Sequence, residues 1–190
     1  MQRSLVGSEM CIRDRLIRMV ENILTVTRIS EETGTISKTP EAAEEIISEA
    51  VMKFRRRYDV PVEITIPDEL MLIPMDAILI EQVIVNLLEN SVLHGKTTTL
   101  IKLTLSSDGE NAVFSVADNG IGINEKKLPM LFSGYFIHAE EQSGDVKRNM
   151  GIGLSVCLTI IKAHGGTMTA GNLPEGGAEF TFTLPLERAL

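Results

Sequence analysis

The chain has 190 residues, 44% of them hydrophobic and 23% charged, a globular composition that excludes a disordered or collagen-like chain. That length suits one domain with a modest extra element and is enough to bury a real core. A formal net charge of −8 excludes a general nucleic-acid binder, which needs a basic footprint.

The first fifteen residues, "MQRSLVGSEMCIRDR", have no clear period and no cap, and read as an artefact or a disordered leader outside the fold. From Leu16 the pattern changes: Leu16, Val20, Ile23, Thr27 and Ser30 follow heptad spacing, and Gly34 offers a cap. Residues 16–34 therefore predict the end of a longer helical hairpin, too short to be stable alone. After the extended "TISKT", Pro40 and Glu41 open a predicted helix to about Arg57, with Ala43, Ile46, Ile47, Ala50, Val51 and Phe54 on its apolar face. "VPVEITIP" alternates as a strand. "MDAILIEQVIVNLLENSVLHG" is the strongest helix of the chain, closed by Gly95. "TTTLIKLTLSSDGENAVFSVAD" predicts a β-hairpin around Ser-Asp-Gly. Asn124 to Met150 is charged, weakly periodic and longer than an ordinary connection. "GLSVCLTIIKAHGG" is a further helix and "TMTAGNLPEGGAEFTFTLPL" a closing hairpin. Paired strands with helices between them predict an α/β (α+β) two-layer sandwich, one mixed sheet with helices on one face.

Two cysteines, Cys11 and Cys157, lie far apart without metal-ligand spacing and fit a reduced chain. No apolar run approaches the roughly 20 residues needed to span a bilayer, and no signal peptide is evident; the expectation is a soluble, cytoplasmic protein.

Three features carry chemistry. In the helix from Asp76 to His94, Asn86 and Asn90 stack one turn apart beside the apolar stripe. Carboxamides are poor helix formers and need partners if buried, so they either tie down a neighbour or present oxygens suited to Mg²⁺ and phosphate. "VADNGIGI" sets Asp118 ahead of Gly120 and Gly122 at a strand end, a tight turn or a loop open to a ligand. "NMGIGLSV" puts Gly151 and Gly153 at a helix start near Leu154, a flexible start or an anion cradle. It lacks the Lys-Ser/Thr ending of a Walker loop. The order of all of these along one chain points to a nucleotide site.

The series "NLLEN", "DNGIG", "LFSGYF", "GIGL" resembles the N, G1, F and G2 boxes of the ATP-binding catalytic domain of two-component sensor histidine kinases. That family shares its Bergerat-type fold with the ATPase domains of gyrase and the heat-shock chaperone. The resemblance covers roughly Leu16 to Glu187 and is strongest to Kdp-type potassium and turgor sensors. "MVENILTVTRIS" is similar to their second dimerisation helix, and residues 35–188 to the catalytic domain.

The resemblance implies roles. Asp118 accepts from the adenine amino group, and Gly120 and Gly122 let the backbone close on the nucleotide. Asn90 holds Mg²⁺, with Asn86 beside the same phosphates. Gly151 and Gly153 cradle phosphate at the start of the Leu154 helix, under a lid from Asn124 to Met150 anchored by Phe132 and Phe136; those two phenylalanines also suit a small helix packing its own core. Hydrolytic relatives carry a Glu where this chain has Asn86, which cannot take a proton. That suits phosphoryl transfer to an external histidine rather than to water, and Glu89, about 100° round the helix from Asn90, is a poor substitute base.

Two departures accompany the match. Leu93 stands where the family often has Lys or Arg, a charge that Lys147, Arg148 or Lys96 would have to supply. No histidine has a phosphoacceptor context: His94, His138 and His164 read as structural or surface residues. The implied partners are ATP, the phosphoacceptor helix of a homodimeric parent anchored in the inner membrane, and a response regulator. Competing expectations are a serine kinase of the anti-sigma-factor type, a non-catalytic nucleotide-binding module, and a sandwich with ordinary turns.

Overall fold

The computed structural model describes residues 36–132 and 152–186. Two layers are built around a five-stranded sheet of order β2-β4-β5-β7-β6, comprising β2 (Val62–Thr65), β4 (Ile101–Ser107), β5 (Asn111–Asp118), β7 (Ala178–Pro185) and β6 (Met168–Asn172). β2 runs parallel to β4 and the other neighbours are antiparallel, so the sheet is mixed as expected. Strict alternation fixes its faces. Ile101, Leu103, Leu105, Ala112, Phe114, Val116, Phe180, Phe182 and Leu184 are all buried on one side, whereas Lys102 and Ser106 are exposed on the other. The register sets Phe114 opposite Phe182, and their rings stack at 4.6 Å.

Helices α1 (Ala43–Arg55), α2 (Ala77–Gly95) and α3 (Ile152–Ala163) cover the buried face. α1 carries Glu44 and Glu45 in its first turn and Lys53 and Arg55 in its last, matching its macrodipole. α2 is the central helix, capped by the Asp76 carboxylate, which accepts from Leu79 N at 3.1 Å. Its 19 residues and mean hydropathy of 1.2 would suffice to cross a membrane, contrary to the expectation that no apolar run comes close. Packing explains the run: Ile80, Val83, Ile84, Leu87 and Leu88 all have no exposure, because α2 is flanked by helices and backed by the sheet.

The sequence missed a second sheet, in which β1 (Thr39–Ala42) pairs antiparallel with β3 (Leu72–Met75). Pro40 and Glu41, expected to open a helix, are strand residues instead, and α1 begins at Ala43. Pro40 faces Pro74, and proline tolerates a two-stranded ribbon as readily as a helix start. The predicted dimerisation helix lies outside the described residues.

Candidate functional site

α2 and α3 run side by side in opposite directions. At one end His164 Nε2 accepts from Asp76 N at 3.0 Å, while midway Asn86 Nδ2 donates to Cys157 Sγ at 3.7 Å. The first turn of α3, with Gly153, consequently lies beside the turn of α2 that carries Asn90. Asn90 is half-buried and its side chain has no hydrogen-bond partner among the described residues. A side-chain carbon added at Gly153 would meet nothing within 4 Å among the described residues, so none of them demands a glycine there. Leu154 is buried in the core, which leaves only its main chain to face a ligand.

Asn90 lies five residues, about 7.5 Å of helix rise, before Gly95. Gly95 in turn touches the glycine loop: its carbonyl accepts from Ile121 N at 3.0 Å. Gly120 is bare because of that contact, since an added carbon would lie 2.6 Å from the Gly95 carbonyl oxygen. Gly122 adopts φ +73, a left-handed conformation that favours glycine. The closing glycine of α2 also differs from expectation. Gly95 is needed for close packing on Thr98, and the left-handed bend falls to Lys96 at φ 56.

Asp118 ends β5 on its buried side, 4% exposed. Its Oδ1 accepts from Gly120 N at 2.8 Å and Ala178 N at 3.4 Å. A cavity of about 360 Å³ touches Asp118 but opens on the solvent face of the sheet, between Lys102, Ala117 and the Leu173–Gly176 turn. Neither Asn86 nor Asn90 lines it.

The remaining candidates divide by position. Glu89 is turned to the segment just after α1, where Arg57 Nη1 meets its Oε1 at 3.1 Å, so it is not a base facing Asn90's side. Leu93 is 56% exposed and Lys96 is exposed too. Phe132 is half-buried against the core. Phe136, His138, Lys147, Arg148 and Gly151 lie outside the described residues. His164 is structural: its Nδ1 donates to Ile160 O at 2.8 Å while Nε2 accepts from Asp76, a pattern only the neutral ring can satisfy. Burial lowers its pKa, and burial also lowers that of His94.

The family model for histidine kinase-, DNA gyrase B- and HSP90-like ATPases matches residues 75–188. The chain belongs to that family. It is 36% identical to the sensor protein KdpD of Clostridium acetobutylicum over 90% of this chain, yet spans only 19% of that relative's length. The catalytic domain of histidine kinase ThkA superposes with a TM-score of 0.66 at 26% identity, over 80% of this chain and 97% of that one. Full-length ShkA in complex with AMPPNP gives a TM-score of 0.69 at 25% identity, over 99% of this chain and 39% of that one. The chain is thus similar to Kdp-type sensors and the fold is that of histidine kinase catalytic domains, as the sequence motifs implied.

Membership in the ATPase family makes the donor set intelligible. Among the described residues no three His, Cys, Asp or Glu side chains could hold a metal together. A carboxamide such as Asn90 suits an ion that takes most of its ligands from phosphate and water. Sequence reasoning missed two supports of the loop. Asn119 Oδ1 accepts from Thr99 N at 2.9 Å and Leu100 N at 3.1 Å, and Asn172 reaches Ile123 from the far hairpin. An asparagine directly after Asp118 was a visible signal for the first; nothing local marked the second.

Proposed function

We propose that this chain is the ATP-binding kinase portion of a sensor histidine kinase, which binds Mg-ATP and donates the γ-phosphoryl group to a histidine on a separate helix, for relay to a response regulator. Residues 35–188 form the catalytic domain in this reading. The observation that carries it is the alignment of Asp118, Gly120 and Gly95 in direct contact, with Asn90 and Gly153 further along the same pair of helices. A base at one end and phosphates at the other fit that line.

Asp118, rigidly held through Oδ1, accepts from the adenine amino group. Asn90 offers an amide oxygen to Mg²⁺, which when bound neutralises phosphate charge. Main-chain N–H groups at the open Gly153 turn receive phosphate oxygens. Asn86 cannot accept a proton from water, so hydrolysis is not assisted there and the phosphoryl group is kept for an external nucleophile. Catalysis is positioning together with charge stabilisation.

Calorimetric titration with ATP tests the reading. Mg-dependent binding is expected for the natural chain, and Asp118→Asn should weaken it at least tenfold, about 1.4 kcal/mol. Equal binding by the folded variant would overturn it. Exposed Leu93 favours a second reading, a nucleotide-binding module with no transfer activity. Phosphate transfer in trans to a supplied histidine helix separates the two.

A further inference from the structure

The loop from Asp118 to Ile123 is held at both ends by one cross-strand pair. Asn172 and Ala178 face each other where the β6–β7 hairpin opens. Ala178 N donates to Asp118 Oδ1 at 3.4 Å, at the start of the loop. At its end the Asn172 carboxamide takes both main-chain polar groups of Ile123: Oδ1 accepts from Ile123 N at 2.6 Å, and Nδ2 donates to Ile123 O at 2.7 Å. This two-point contact imitates a rung of β-ladder and fixes the orientation of the amide, because swapping its oxygen and nitrogen would lose both bonds.

The hairpin supplying the bracket is itself firmly closed. Leu173 N donates to Gly177 O at 3.1 Å, and Gly176 N to Leu173 O at 3.0 Å. Gly122, the loop residue with positive φ, lies directly beneath the bracket: a side-chain carbon there would come within 2.8 Å of Asn172 Oδ1. Asn172 thus holds the exit of the loop, as Asp118 and Asn119 hold its start.

We propose that Asn172 is a positioning residue for nucleotide binding, setting the path of the 118–123 loop through its two hydrogen bonds to Ile123. The inference rests on the reading of that loop as the base-binding element. Asn172 bonds to the loop rather than to the ligand, and it acts at the base end of the site. Its contribution is therefore shared by every adenine nucleotide and independent of Mg²⁺.

The test compares the natural chain with Asn172→Ala, Asn172→Asp and, as an outward-facing control on the same strand, Thr169→Ala. Loss of two hydrogen bonds predicts about a tenfold loss of affinity for ATP and ADP alike in Asn172→Ala. Hydrogen exchange should accelerate at the Ile123 amide and not in β5, with the melting temperature little changed. Transfer from saturating ATP in trans should proceed at the natural rate, so KM moves and kcat does not. Asn172→Asp keeps the acceptor, loses the donor and should fall between; it carries the test if the alanine variant does not fold. Natural affinity in Asn172→Ala would overturn the inference and leave the reading of the loop intact. So would an affinity loss matched by a general rise in exchange, which marks a merely structural residue. A natural chain that binds no ATP would instead overturn the reading of the site itself.

Discussion

His164 joins two helices with a bond that only its neutral form makes. On protonation, Nε2–H would point at the Asp76 N–H, donor against donor, with the Lys38 ammonium bound to the carbonyl of the same residue at 2.8 Å. Burial is the main cause of its lowered pKa; the Ile160 carbonyl and the Asp76 carboxylate oppose it, and Lys38 reinforces it. A histidine whose folded pKa is lowered binds fewer protons folded than unfolded, so its stabilisation is complete above 6.5 and lost as pH falls from there toward the folded pKa. Melting temperatures from pH 8 to 5 should therefore drop more steeply for the natural chain than for His164→Gln, with His94 leaving a residual slope in both. Gly153 predicts the reverse kind of effect. No described residue occupies the space for a side chain at the start of α3, so Gly153→Ala should leave stability unchanged or raise it by up to about 1 kcal/mol, through helix propensity. The same change should weaken ATP binding, and calorimetry beside thermal melts will separate the two. Asn86, Asn90 and Asp118 were legible in the sequence because their chemistry is out of place on an apolar helix margin or at a strand end. Asn172 and Cys157 were not, because their meaning lies in partners 49 and 71 residues away.

Among elements, the long periodic ones were read correctly and the short ones were not. The apolar stripes of α1 and α2, and the alternation of β4, β5 and β7, identify themselves because burial on one face imposes a period. β3, "LIPM", is four residues with a proline, too short to show a period, and β1 was absorbed into the following helix for the same reason. Both exist because they pair with each other, which is a non-local cause. The stacked Phe114 and Phe182 are the largest paired side chains at the centre of the sheet, fully buried on β5 and β7. Phe182→Ala should cost about 3–5 kcal/mol, measured by urea unfolding, since the cavity would lie between two rigid strands that cannot collapse into it. Ion pairs between α1 and α2 will matter less uniformly. Lys53 with Glu81 is exposed on the cationic side, whereas Glu89 is only 5% exposed and meets Arg57 at the helix junction.

At the scale of the whole molecule, ligand binding and stability are linked. Mg-ATP at a hundred times its dissociation constant should add about 2.7 kcal/mol, which raises the melting temperature of a chain this size by about 5–11 °C. Scanning fluorimetry should record that shift, and Asp118→Asn should cut it to about half or less at the same nucleotide concentration. The fold class was legible because elements alternate in a way few layered architectures accommodate, but the sheet order β2-β4-β5-β7-β6 was not, and it is the order that delivers the final hairpin to the loop after β5. The small β1–β3 ribbon has a mechanical meaning. Its first strand carries the incoming chain and its second runs directly into Asp76 and the helix bearing both asparagines, while Lys38, one residue ahead, grips the end of α3. The entering chain is thus moored at one place, to the start of α2 and to the end of α3.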